Sequence, residues 1–362
     1  MKSISIYRAN ALLLLLILTG VILHFGKTFL VPLFFSILLA MLLRPVCNKL
    51  ENWGVGRVMS TFIGIFLILI FVGAVIGVVA AQGASIADDW PQMQSKITEL
   101  IKTVQQFIES NYGISIGEQQ QYAVKGMKKV SDSGGQAFTT FMSGFMNILT
   151  SFVLVLLYFF FWMWKREKYQ EFFLKLVDAE NRPQVEKEIS EITEVAAQYL
   201  VARLISMAFL AVFYMLGFSI FGLENAILIS LVAVLPTIIP YVGAFIGGFF
   251  PLAMALIGGS PEIILPVAIV LIVAQVIDNN IIEPLVEGHS LDISPVFTII
   301  AIVLGELVWG VAGMVLFIPM FAILKIICDH IPRLHPYSFL LENEMEEPKW
   351  VQKLQKFFTK NK

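Results

Sequence analysis

Between Leu204 and Leu324 the chain carries seven carboxylates, Glu224, Glu262, Asp278, Glu283, Glu287, Asp292 and Glu306, and no lysine or arginine. The surrounding sequence is overwhelmingly apolar. A carboxylate in hydrocarbon is costly unless it is hydrated, protonated, paired or bound to a cation. With no cation inside the stretch to pair with them locally, these acids are expected to serve a proton- or cation-coupled pathway.

Two places within the stretch concentrate that chemistry. In Asp278-Asn279-Asn280-Ile281-Ile282-Glu283-Pro284, three adjacent carboxylate or amide side chains offer hard oxygen ligands. Pro284 and Gly288 are expected to form a re-entrant turn whose carbonyls join them, as discontinuous helices do in secondary transporters. The bland alternative is a polar turn at the membrane surface, with Asp278 and Asn279 as caps and Glu283 and Glu287 exposed. Glu306 lies in an unbroken apolar run, Ile299 to Gly310. Desolvation there would disfavour its charged form, which suits a proton carrier. The alternative is a protonated acid bonded to a neighbouring helix, or a position nearer the interface.

These side chains must be held by membrane helices. The chain is 57% hydrophobic and 14% charged, well below the roughly 25% charge of soluble domains. Mean hydropathy is +0.80. The apolar runs are continuous, which argues against an alternating outer-membrane barrel. The expected fold is an all-α polytopic membrane protein with about eight transmembrane helices and broken or re-entrant segments in the C-terminal half. Apolar runs fall near 9–25, 28–43, 58–82, 145–164, 199–221, 225–258, 263–277 and 296–328. The first two are expected to form a hairpin about Lys27. No small-x-small cleavage site follows the first run, so it reads as a retained span. The 225–258 run is too long for one straight helix, and Pro236, Pro240, Gly243, Gly247 and Gly248 predict two half-helices or a kinked element. Pro240, Tyr241 and Gly243 would shape a broken helix facing the site.

The expected organisation is N-terminal spans over 1–82, an extracytoplasmic amphipathic segment over 83–144 and a span over 145–164. A cytoplasmic amphipathic segment over 165–198, a transport core over 199–328 and a cytoplasmic tail over 329–362 follow. In the outer segment Ile97, Leu100, Ile101, Val104, Phe107 and Ile108 recur at helical spacing. In the inner one Pro183 marks a helix start, and Val185, Ile189, Ile192 and Ala196 mark its apolar face. Basic residues near span ends place both termini in the cytoplasm. The small pairs Gly243/Gly247, Ala301/Gly305 and Gly73/Gly77 predict close helix approach. Cys47 and Cys328 fall at span ends assigned to the cytoplasm, so no disulfide is expected. No zinc motif and no phosphate-cradling loop ending in Lys-Ser or Lys-Thr occurs, so no enzyme, catalytic residue, cofactor, metal site or nucleic-acid partner is expected.

Several motifs together resemble those of the autoinducer-2 exporter family. Val31-Pro32-Leu33, Leu43-Arg44-Pro45 and Trp53-Gly54-Val55-Gly56-Arg57 resemble its N-terminal signature. Ile239-Pro240-Tyr241-Val242-Gly243 resembles its central one. Asp278-Asn279 with Pro284 and Gly288, then Trp309-Gly310-Val311-Ala312-Gly313 and Ile318-Pro319, resemble its C-terminal block. Two departures stand out: Ala244 replaces a frequent proline, and Asp292-Ile293-Ser294-Pro295 replaces a Leu-His-Pro turn. The resemblance implies a bacterial inner-membrane, multi-pass transporter, assembled as a homo-oligomer in the lipid bilayer. Some members are linked to export of the quorum-sensing furanone autoinducer-2 and others to sodium or lithium exchange for protons. The leading expectation is an exporter of a small polar solute or signal driven by a proton or sodium gradient. Asp278, Asn279, Asn280 and Glu283 would hold the solute or ion, and Glu306 would carry a proton. A monovalent cation/proton antiporter without organic substrate and a non-transporting membrane scaffold are the alternatives.

Overall fold

A computed structural model describes residues 6–113, 151–258, 261–287 and 293–343. In hydrocarbon a backbone must satisfy its own hydrogen bonds, so continuous apolar runs become helices. The elements are α1 (Ile6–Phe25), α2 (Lys27–Asn52), α3 (Arg57–Tyr112), α4 (Ser151–Trp164), α5 (Arg166–Lys175) and α6 (Arg182–Ile220). There follow α7 (Ala226–Val234), α8 (Val242–Gly258), α9 (Pro261–Ile277), α10 (Glu283–Glu287), α11 (Pro295–Trp309), α12 (Val311–His330) and α13 (His335–Leu341). Among the described residues, five segments are long and apolar enough to cross a membrane: Lys27–Asn52, Arg57–Gly77, Ala179–Ile220, Glu262–Val286 and Val311–His330. The protein is an all-α polytopic membrane protein.

Several joints differ from the sequence expectation. Gly26 keeps right-handed helical torsions, φ −80° and ψ 0°. Its N–H donates to Ile22 O at 2.8 Å, and Leu30 N–H donates to Gly26 O at 2.8 Å. Helical bonds on both sides of Gly26 make a bend between α1 and α2, not the expected hairpin. The expected boundary at residue 82 falls inside α3, which is one helix of 56 residues. At 1.5 Å per residue it is about 84 Å long, far more than a single crossing needs. Of its expected outer apolar face, Phe107 is exposed and Ile108 partly buried. The rest of the 83–144 segment beyond Gly113, and the tail beyond Asn343, lie outside the described residues. The expected boundary at 198 likewise falls inside α6, whose Arg182 start agrees with the Pro183 signal.

The chain forms two compact units. One comprises Met1–Leu69, Ser151–Ser206 and Asn279–Lys362; the other comprises Ile70–Thr150 and Met207–Asp278. Each contains a tight antiparallel helical pair. In the second unit α7 runs through a 3-10 turn, Leu235–Ile238, into extended Ile239 and then α8. Tyr241 holds the reversal at φ +61°. This is the split expected of the 225–258 run. Leu210, Tyr214, Phe218, Ile229, Ala255 and Val267 are core residues of this unit.

In the first unit the 296–328 run, expected as one span, is split at Gly310 into α11 and α12. Gly310 adopts φ +63°, ψ −143°, a conformation open to glycine and hostile to a Cβ. Trp309 closes the top of this pair. It is buried, packs on Phe34 and Phe317, and its Nε1 donates to Leu23 O at 2.9 Å at the α1–α2 bend. A lone backbone bridge between Ile293 and Glu342 ties the start of α11 to the end of α13.

Both pairs are joined backbone to backbone. A Cβ on Gly243 would overlap the Pro236 carbonyl, and one on Gly247 the Ala233 carbonyl. Gly305 and Gly313 face each other in the same way across α11 and α12. Gly73, by contrast, has open space where its Cβ would be, as has Gly77, so that small pair marks no contact among the described residues. Gly305→Ala and Gly243→Ala should each destabilise the protein by about 1–3 kcal/mol, because rigid backbone blocks the added methyl. Gly73→Ala should be neutral or stabilising by up to about 1 kcal/mol through helix propensity. Unfolding of the three variants in mixed micelles checks the contrast.

Candidate functional site

The expected polar turn at Asp278–Pro284 is helical. After α9 the residues Asp278–Ile282 form one π turn and pass directly into α10, so Glu262–Val286 is a single apolar segment. Pro284 lies within α10, so the backbone stays helical at that residue. Its physical effect is still visible. A proline four residues beyond Asn280 removes the N–H that would meet the Asn280 carbonyl in an α-helix, and its ring crowds that carbonyl. Widening to a π turn relieves both, and single π turns are frequent at functional sites. Gly288 and Asp292 lie outside the described residues, as does the side chain of Glu287.

Within the second unit, Asp278 is 3% exposed and is the one buried carboxylate among the described residues. It lies within electrostatic range of Tyr214 on α6, itself buried and stacked on Phe218 with ring centroids 5.4 Å apart. Glu224 and Glu262 of the same unit are exposed. The helix break that the sequence placed near a site, Pro240-Tyr241 with Gly243 and Gly247, is the reversal of the α7–α8 pair in this unit.

In the first unit Asn279 and Asn280 are exposed on the π turn. Glu283 is not a lone acid. Its Oε1 accepts a 2.7 Å hydrogen bond from Arg203 Nη2, and the two side chains are 27% and 10% exposed. The Arg203 guanidinium also stands 5.9 Å from the ring of the buried Tyr199. The expectation of acids without a nearby fixed cation therefore fails at Glu283, whose partner sits one residue before the acid-only stretch and 80 residues away in sequence. Arg203 was the residue that sequence reasoning missed. The signal was present: an arginine inside the expected 199–221 span calls for a buried acid.

Glu306 does not face the protein interior. It is exposed on α11, one turn before the Gly310 reversal, while Ala301, Ile302, Gly305 and Trp309 are the buried residues of that helix. Gly310 and Gly313 serve the reversal and the close contact of the pair. No group of three or more potential metal ligands occurs among the described residues.

Glu283 is thus paired with a fixed cation, Arg203. Breaking a buried pair by removing one partner strands the other charge. Arg203→Met should destabilise the protein by about 3 kcal/mol, less than a fully enclosed pair would, since Glu283 keeps some exposure. The Arg203→Met/Glu283→Leu double variant should recover most of that loss. Unfolding of both in mixed micelles distinguishes a pair from two independent contacts.

Comparisons with known proteins agree with this architecture. The model of the AI-2E family transporter matches residues 12–333. YueF of Bacillus subtilis, named as a transport protein, is 27% identical over 328 residues, covering 84% of this chain and 86% of its own. YrrI of the same organism, also named as a transport protein, is 25% identical and covers 85% and 88%. PerM of Escherichia coli, named as a permease, is 25% identical over 326 residues and covers 88% and 91%. With the family model spanning nearly the whole of an all-helical, multi-pass chain, the protein belongs to the AI-2E transporter family and is a membrane transporter.

Proposed function

We propose that the protein is a secondary transporter that exports a small polar solute or signal of the autoinducer-2 kind across the bacterial inner membrane, driven by a proton or sodium gradient. The observation that carries this reading is Asp278. It is a carboxylate 3% exposed in an apolar membrane segment, where alternation between a proton and a cation would be a coupling step. The π turn beginning at Asp278 adds hydrogen-bonding amides at Asn279 and Asn280, which suit a hydroxyl-rich solute. Glu283, held by Arg203, is assigned to the scaffold of the turn, and the exposed Glu306 is not required for the coupling step. Within its own unit, each of the tight α7–α8 and α11–α12 pairs supplies a rigid element. The clustering of basic residues at span ends favours cytoplasmic termini. The many exposed apolar side chains of the spans leave surface for lipid and for further copies of the chain in a homo-oligomer.

The test is flux in proteoliposomes under an imposed sodium or proton gradient, with and without autoinducer-2. Gradient-dependent solute movement is expected. Asp278→Asn should bring it to the level of protein-free vesicles with assembly unchanged, and an undiminished rate in that variant overturns the assignment of Asp278. Internal pH that responds to sodium or lithium with no organic solute present would replace export by cation/proton antiport.

A further inference from the structure

One end of the first unit gathers more cationic than anionic groups. Glu51 on α2 accepts from Arg166 Nη2 at 2.5 Å and from Ser60 Oγ at 3.0 Å, with Arg57 Nε at 3.8 Å. Arg57 also bonds Glu167 through Nη2. That bond holds the exposed Glu167 carboxyl below the usual carboxylate range, so it stays ionised at neutral pH and keeps Arg57 occupied. The third guanidinium, Arg44, has no carboxylate within ion-pair distance among the described residues. Its Nη1 donates to the Thr193 hydroxyl at 3.4 Å, and it lies within electrostatic range of Arg166. Arg166 Nη1 is buried with no hydrogen-bond acceptor among the described residues. Three guanidiniums therefore stand against two carboxylates, which pair with Arg57 and Arg166 only, and both Arg44 and Arg166 retain donors for a further anion.

The element that carries Arg166 has the character of a headgroup-level helix. α5 follows the apolar α4 directly and exposes Phe172 and Phe173, with Leu176 exposed at its C-cap. Lys168, Phe172 and Lys175 lie at helical spacing along a groove of 470 Å³ that Tyr169 and Glu171 also line. Lys165 stands 3.9 Å over the Trp164 ring where α4 ends. Aromatic rings with interleaved lysines at the end of a span are suited to the boundary between acyl chains and anionic headgroups.

We propose that Arg44 and Arg166 bind the phosphate of an anionic phospholipid, with α5 lying along the neighbouring headgroups. The site shares no residue with the Asp278 turn, and the proposal does not depend on the transported solute. Two charged donors select a phosphate, and the exposed aromatic residues select one that carries acyl chains over the free ion. The Arg166–Glu51 and Arg57–Glu167 pairs then act as supports that aim the spare guanidinium edges.

Native mass spectrometry of the full-length protein, loaded with phosphatidylglycerol or phosphatidylcholine, tests this. Phosphatidylglycerol should remain bound under collision energies that strip phosphatidylcholine. Arg44→Gln should lower the retained phosphatidylglycerol by about tenfold, the value of one charge-assisted contact, and Arg44→Lys should restore it in part. Equal retention of the two lipids, or undiminished phosphatidylglycerol on Arg44→Gln, overturns the proposal. Displacement of the lipid by millimolar inorganic phosphate would also overturn it, identifying a free-anion site instead. If Arg44→Gln fails to fold, Phe172→Ser decides: reduced phosphatidylglycerol retention supports the site, and unchanged retention overturns it.

Discussion

A peptide carbonyl in hydrocarbon has no water to turn to, and a helix in hydrocarbon gains nothing by hiding apolar surface from its neighbours. Helices there associate through close packing, and the closest packing is reached where no side chain intervenes. This constraint organises both units. In each, an antiparallel pair is drawn together at glycines that meet the partner backbone: Gly243 and Gly247 against Pro236 and Ala233, Gly305 against Gly313. Each reversal sits at a residue with positive φ, Tyr241 in one unit and Gly310 in the other. The pairs are consequently rigid elements made from segments of 9 to 20 residues.

Against that rigid frame the charges divide by environment. Glu224, Glu262 and Glu306 are exposed, so their side chains are not enclosed by protein. Glu283 is partly enclosed and takes a fixed cation, Arg203, from the helix beside it. Asp278 is enclosed, at the π turn that Pro284 induces. Enclosure without bulk water is costly for a carboxylate and shifts it toward its protonated or cation-bound form. A single arginine matters here because it fixes Glu283 in an ion pair.

The basic end of the first unit follows another logic. Arginines there are not neutralised one for one, and the mismatch lies beside a short aromatic helix at the end of a span. Membrane transporters meet two solvents, and a site for headgroups secures the protein to the second of them without engaging the pathway.

The sequence by itself determined the helical class, the membrane setting and the break between α7 and α8, because continuous hydropathy, proline and glycine act locally along the chain. It also singled out Asp278, since an acid in an apolar run is conspicuous wherever the helix turns. Tertiary structure decided the rest. Hydropathy averages around a helix and says nothing of azimuth, so it could not tell that Glu306 points away from the protein interior. The stripe of Ala301, Gly305 and Trp309 held the missing direction. A long apolar run cannot distinguish one span from two packed antiparallel helices, so the reversal at Gly310 is not visible in hydropathy. The pairing of Arg203 with Glu283 joins residues 80 apart, and only the packing of α6 against α10 brings them within 2.7 Å.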